Sequence, residues 1–266
     1  MNKPKIIMLD HPCEEACKLI DEVAERKYGY GYFGDYVWTG LGPANTGLPV
    51  FSPCTGVDHI NAPEIIHLDE KWRKNEGQQI TSTAEHTLSL MLQLAKKAGI
   101  QIRNKDVGII GYGRIGQMVS KYIVGLQGFV SGRDTNITPT VSYVYDHQSF
   151  SDNYEFEKIL KICDIITLHV PLNDETRHMI GKKEIEMMKP GALLINTSRQ
   201  EVVDIEAVKE ALISKKIYYA DDFKDKVDLI EYGAIQTPHI GGNCKEARKL
   251  TDIYIAKRLQ EYIRRG

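Results

Sequence analysis

Apolar and polar residues fall in short blocks along this chain, and the blocks predict strands and helices in regular succession. Residues 5–10 form an apolar run that reads as a strand. Residues 13–28 place Cys17, Ile20 and Ala24 on one helical face, which predicts an amphipathic helix. A Gly- and Tyr-rich passage runs to Gly47, with a short strand expected at 36–38, and further strands are expected at 49–52 and 64–68. Residues 83–98 carry the strongest helical pattern, with Ala84, Leu88, Met91, Leu92 and Ala95 apolar. From Asp106 onward, strands near 107–110, 129–131, 141–145, 165–169, 192–196, 217–220 and 235–237 alternate with helical stretches, and 245–264 reads as a closing helix. Such alternation implies a parallel sheet with helices on both faces. The division expected is a smaller unit made of residues 1–80 with the last helix, 245–266, and a larger one at 81–244.

Inside the larger unit the run VGIIGYGRIG, 107–116, joins a buried-strand pattern to three glycines and then to a helix. Gly111 permits a tight turn, Gly113 lets a pyrophosphate approach the backbone, and Gly116 lets helix and strand pack closely. Tyr112, Arg114 and Ile115 complete the loop, and the helix start offers N–H groups and a positive dipole end to phosphates. Asp134 follows at the end of a second strand-like run, where a dinucleotide fold places the acid that meets the adenosine ribose.

Composition narrows this little further. The 266 residues are 42% hydrophobic and 26% charged with net charge −2, which gives no reason to expect nucleic acid or an anionic membrane as partner. No apolar run approaches the ~20 residues of a membrane span. The opening MNKPKIIMLDHP has too short an apolar run for a secretion signal, and a cytoplasmic protein is expected. Cys13, Cys17, Cys54, Cys163 and Cys244 include no CxxC pair and read as reduced thiols; His59, His86, His147 and His178 show no metal-ligand spacing.

Four more motifs follow in order. CDIITLHVPLNDETRHMIG, 163–181, is a buried strand ending in His169, Val170 and Pro171, with Thr176 in the loop. KPGALLINTSRQEVVD, 189–204, sets Arg199 just past a strand's carboxyl end, where open α/β sheets bind ligands. ADDFKDKV, 220–227, is another strand end rich in carboxylates, and TPHIGG, 237–242, places His239 before a glycine pair. With SPCTGVDHIN at 52–61 and TAEHTLSLML at 83–92, these motifs resemble the D-2-hydroxyacid dehydrogenase family from about residue 49 to the C-terminus. That family includes D-3-phosphoglycerate dehydrogenase, glyoxylate/hydroxypyruvate reductase, D-lactate dehydrogenase and formate dehydrogenase.

The resemblance implies an α/β protein in which a Rossmann-type doubly wound sheet binds NAD. Beside it stands a smaller, truncated flavodoxin-like substrate domain. It implies that a 2-oxo acid and a D-2-hydroxy acid are interconverted by hydride transfer. Arg199 would hold the substrate carboxylate and keto oxygen, a role that suits a guanidinium fork. His239 would be the general acid/base, an imidazole titrating near working pH. Backbone N–H groups of Thr55, Gly56 and Val57 would hold the carboxylate, Asp221 would meet the nicotinamide carboxamide, and Thr197 and Ser198 would approach the ring. His169 would line the adenine side or simply pack, and Val170, Pro171, Thr176 and Gly241 join the cofactor set.

Three departures stand out. The family's D-x-F-x-x-E-P pattern puts a glutamate beside the histidine; counting from Asp221, Lys226 occupies that place, with Asp225 one residue away as a substitute acid and Glu231 further off. A cation there would lower the imidazole pKa where a carboxylate raises it. The first unit is short, and so is the segment before Val107, although dimerisation through the helix bearing Glu85 is still expected. Asp134 favours NAD, while Arg133 beside it offers a partner for the extra phosphate of NADP. The rival expectation is a non-catalytic NAD(H)-binding or sensing protein of the same fold.

Overall fold

The computed structural model describes residues 3–40, 42–54, 57–68, 78–133, 142–145, 148–151 and 156–265. The chain forms two compact units, one of residues 1–79 with 243–266, the other of residues 80–242.

The first unit opens with β1 (Lys5–Met8), the helix Glu14–Val23 and β2 (Glu25–Tyr28). It continues through β3 (Tyr36–Trp38), β4 (Ala44–Asn45), β5 (Val50–Phe51), β6 (Ile60–Asn61) and β7 (Ile65–Ile66). Five strands pair in parallel in the order β2-β1-β3-β5-β7, and β4 pairs with β6 apart from them. Counted along the chain within the sheet, that is the flavodoxin-like order 2-1-3-4-5. The helix expected over 13–28 ends at Val23, with Ala24 already extended, and its second half is a strand instead. Strand pairing wins over helical spacing here: Lys5–Met8 takes Glu25–Tyr28 as its parallel neighbour in register Ile7↔Lys27, which satisfies a backbone edge that would otherwise stand unpaired. The core packs Ile6, Met8, Ile20, Trp38, Phe51 and Leu68 with Ile255, Ala256 and Leu259 of the helix Lys245–Arg265.

The second unit begins with the helix Gln78–Ala98 and β8 (Asp106–Ile110), then the helix Arg114–Gly125 and β9 (Phe129–Arg133). After β10 (Ser142–Tyr145) and β11 (Gln148–Ser151) come the helix Phe156–Ile162, β12 (Ile165–Leu168) and the helix Lys182–Met187. β13 (Ala192–Asn196), the helix Ile205–Ile213, β14 (Ile217–Asp221) and β15 (Ile235–Gln236) complete it. Six parallel strands run β15-β14-β13-β12-β8-β9. Every residue of β12 and β13 is buried, and successive side chains feed opposite cores. Ile166 and Leu194 pack in one core with Ile159, Ile185 and Val208; Ile165, Leu193 and Ile195 pack in the other with Leu90, Met91 and Val119.

The strand expected at 141–145 is not part of this sheet. Ser142–Tyr145 pairs antiparallel with Gln148–Ser151 as a separate hairpin, and Val141 lies outside the described residues. Its apolar run is only Tyr143–Tyr145, and the polar residues 146–149 follow at once, which suits a local antiparallel pairing better than a strand buried on both faces. Among the described residues, no helix is long and apolar enough to cross a membrane.

Candidate active site

β8 and β12 are neighbours, in register Ile110↔Leu168, and strand order reverses between them. The crevice beyond their carboxyl ends is where open α/β sheets bind ligands. Three glycines there do three different things. Gly111 has φ +89°, and a Cβ on it would stand 2.4 Å from the His169 carbonyl oxygen. A Cβ on Gly116 would stand 2.2 Å from the Gly111 carbonyl oxygen, so only glycine lets the helix Arg114–Gly125 sit on the turn. At Gly113 an added Cβ would meet nothing within 4 Å. Gly113 is also the residue preceding the helix, with no side chain to cap its first N–H groups. An open space facing a bare helix N-terminus fits a diphosphate. Tyr112 is fixed by donating from its hydroxyl to Ser120 Oγ (3.0 Å), Ile115 is half-buried and Arg114 exposed. Arg133 ends β9, and Asp134 lies outside the described residues.

At the end of β12 the His169 N–H donates to the Ile110 carbonyl (2.7 Å), and its Nε2 lies 3.0 Å from Thr167 Oγ1. Burial drops the His169 pKa to about 3, so the ring is neutral at any working pH. Ser198 joins two strand ends: its Oγ accepts from Val170 N–H (3.1 Å) and donates to the Leu168 carbonyl (2.6 Å). Thr176 donates to the Pro171 carbonyl (2.6 Å) and closes the following turn. Thr197 Oγ1 lies 2.9 Å from Thr87 Oγ1 of the helix Gln78–Ala98.

Beyond β13 the Asn196 side chain braces the turn that carries Arg199. Its Nδ2 donates to the Arg199 carbonyl (2.8 Å) and its Oδ1 accepts from Ser198 N–H (3.0 Å). Arg199 is half-buried, with Nη1 donating to the Ser198 carbonyl (2.8 Å).

Asp221, the last residue of β14, and Asp222, which follows it, meet different partners. Asp221 is fully buried and accepts from Gln236 Nε2 (3.0 and 3.1 Å) and Phe223 N–H (3.0 Å). Burial pushes its pKa up to about 6. Asp222 is also buried, and burial likewise disfavours its charge. Hydrogen bonds from His86, Thr237 and the N–H groups of Gly241 and Ile240 more than offset this and hold it below the usual carboxylate range. His239 follows β15, has φ +52°, donates its N–H to the Asp222 carbonyl (2.9 Å), and stands edge-on to Phe223 with ring centroids 5.5 Å apart.

The Lys226 ammonium is taken up by Glu201, with Nζ 2.8 Å from Oε1, so its charge is balanced by the turn just past Arg199. Asp225 is exposed. In the first unit Val57 is half-buried, while Thr55 and Gly56 lie outside the described residues.

Residues 73–241 match the family described as D-isomer specific 2-hydroxyacid dehydrogenase, NAD binding domain. This chain belongs to the D-isomer specific 2-hydroxyacid dehydrogenases. NAD is the cofactor of the domain, in keeping with the glycine geometry. The chain is 33% identical over 234 residues to D-3-phosphoglycerate dehydrogenase of Methanocaldococcus jannaschii, covering 79% of this chain and 42% of that protein. It is 37% identical over 174 residues to glyoxylate reductase of Thermococcus litoralis, covering 60% and 50%. It therefore spans half or less of the length of these curated relatives. The NAD-dependent formate dehydrogenase of Staphylococcus aureus, solved with NAD, superposes with a TM-score of 0.78 at 19% identity over 97% of this chain and 95% of that one. At that identity the likeness speaks for the fold, the α/β arrangement expected from the sequence.

Against the dehydrogenase pattern, the residues missed from sequence are Asp222, His86 and Ser82. Asp222 is the second of two adjacent acids at a strand end, and the two meet different partners. Ser82 and His86 are four apart on one helix, hence on one face. Ser82 Oγ donates to the Gly241 carbonyl (2.8 Å), and His86 Nε2 lies 2.9 Å from Thr237 Oγ1.

Proposed function

We propose that this protein is an NAD-dependent oxidoreductase that interconverts a 2-oxo acid and a D-2-hydroxy acid. One observation carries the reading. Arg199 and His239 leave the carboxyl ends of β13 and β15, in the same sheet whose glycine turn fits the cofactor's diphosphate. Bound NAD supplies or accepts the hydride at the substrate's C2. Arg199 binds the substrate carboxylate and draws electron density toward the carbonyl oxygen. In reduction, the His239 imidazolium gives its proton to that oxygen as the hydride reaches carbon; in oxidation the neutral ring takes the proton back. Thr197, Ser198 and Asp221 serve the nicotinamide side, and His169 offers a neutral face to the adenine.

Glyoxylate, hydroxypyruvate and 3-phosphohydroxypyruvate are the substrates to try first. The protein is read as a cytoplasmic homodimer formed through the helix bearing Glu85, acting on small acids and on neither nucleic acid nor membrane. A second reading, a non-catalytic NAD(H) sensor, is favoured by the Lys226–Glu201 ion pair standing where relatives keep a glutamate. NADH oxidation with the three acids decides. We expect turnover, a loss of about 10²–10⁴-fold in kcat in His239→Ala, and NADH binding retained in that variant. Tight NADH binding without oxidation of any acid leaves the sensor.

A further inference from the structure

Asp222 accepts from four donors of the loop that carries His239. Its Oδ1 accepts from the Thr237 hydroxyl (2.5 Å) and Ile240 N–H (2.9 Å), and its Oδ2 accepts from Gly241 N–H (2.7 Å). Its own carbonyl accepts from His239 N–H (2.9 Å). From the other side, the helix Gln78–Ala98 reaches the same loop with Ser82 at the Gly241 carbonyl and His86 at Thr237. A hydroxyl has one hydrogen. With that hydrogen directed at Asp222, Thr237 Oγ1 accepts from His86, so His86 Nε2 is the protonated nitrogen and also faces Asp222 Oδ1 at 3.4 Å. A Cβ on Gly241 would lie 3.0 Å from Asp222 Oδ2 and 3.2 Å from the His86 ring, so the loop sits tightly between the two.

His239 itself is strained. A residue with a Cβ seldom adopts φ +52°, and such a conformation persists only where its surroundings over-determine it. The two N–H groups that bracket the strained unit, those of His239 and Ile240, both donate to Asp222. We propose that Asp222 is the positioning residue of the His239 loop, acting through the loop's backbone with His86 and Ser82 as its supports. The proposal rests on the reading of His239 as acid/base. It gives this chain an anionic anchor four positions ahead of Lys226, whose ammonium is bound to Glu201.

The variant Asp222→Asn keeps the shape but turns one acceptor into an NH₂ facing N–H or O–H donors. Three quantities are read: NADH affinity by fluorescence titration, kcat and KM per NADH-binding site with the best 2-oxo acid, and amide exchange at Ile240 and Gly241 by NMR. We expect NADH affinity and both KM values to stay within about twofold. We expect kcat per site to fall about 10²-fold, the cost of misplacing a reacting group by about an ångström. Exchange at Ile240 and Gly241 should accelerate at least about tenfold, while the β8, β12 and β13 amides do not change. A merely structural aspartate would lower Tm and the number of binding sites and leave kcat per site alone. Unaltered exchange at the two amides, or kcat per site within about twofold of wild type, overturns the proposal. If Asp222→Asn does not fold, Thr237→Val removes one donor to the same carboxylate and should show the same pattern more weakly; its failure to do so counts equally against it. If wild type oxidises NADH with no acid, or His239→Ala stays active, the function reading has failed on its own terms, and the exchange measurement alone decides whether Asp222 holds the loop.

Discussion

Both units are parallel sheets whose order reverses at a central pair of strands, β1 and β3 in the first, β8 and β12 in the second. They use the crevice at that reversal in opposite ways. In the first unit it is filled by the protein's own charges. Asp10, just past β1, pairs with Arg248, whose Nε holds Asp252 Oδ1 at 3.1 Å. A Cβ on Gly40, just past β3, would lie 2.0 Å from Asp10 Oδ2. In the second unit Gly113, past β8, faces open space and a bare helix start. Strand length differs in the same sense: β5 and β7 are two residues each, while β12 and β13 run four and five residues, all buried. The lesson is that a switch point becomes a binding site only when side chains leave it empty and long buried strands hold its rim.

The comparison can be broken first with a pair of glycine variants. Gly113→Val should abolish NADH binding in fluorescence titration with Tm unchanged. Gly40→Val should leave NADH binding intact and destabilise the protein by about 1–3 kcal/mol through overpacking against Asp10. The reverse pattern would mean that the void and the filled crevice have been assigned to the wrong units. Next, Phe51→Ala in the first core should cost about 3–5 kcal/mol in urea unfolding without the NADH affinity loss of Gly113→Val. A pH series sharpens the contrast further. His169 has a folded pKa of about 3, below its ordinary value near 6.5, so its contribution is complete above pH 6.5 and drains away as pH falls toward 3. At pH 4 the second unit should be less stable than at pH 7, and His169→Gln should flatten that slope. The smallest effect is expected at Asp134: Asp134→Ala should narrow the NADH-over-NADPH preference about tenfold, the worth of one charge-assisted hydrogen bond. A wild type that already prefers NADPH would transfer the role to Arg133.

The second unit was legible where one physical constraint dominated. Runs such as ALLIN and IITL, short, apolar and, in IITL, rich in β-branched residues, suit strands buried on both faces, and the three glycines are dictated by φ, by helix packing and by ligand approach. What could not be read depended on which partner each segment or side chain meets. Glu25–Tyr28 continues a helical pattern until β1 requires a neighbour. Ser142–Tyr145 looks like a sheet strand until Gln148–Ser151 takes it as an antiparallel partner. Lys226 was legible as a departure, but the Glu201 that takes it up is 25 residues back. Asp222 was legible as an acid, but its weight comes from Thr237, Ile240, Gly241 and His86, which the chain brings together only after the sheet has formed.

The first unit's division into residues 1–79 and 243–266 has a consequence for the order in which the protein is made. A ribosome releases chain at about 5–20 residues per second, and segments fold as they become complete. The second unit is one continuous stretch and is ready to fold once residue 242 has emerged. The first sheet emerges earlier, yet Ile6, Met8, Trp38 and Phe51 have only Ala16 and Ile20 of the first helix over them until Ile255, Ala256 and Leu259 arrive. The earliest-made strands are therefore the last to be sealed. They wait with part of their apolar face open throughout the synthesis of the nucleotide unit, the interval in which a nascent chain is most in need of a chaperone.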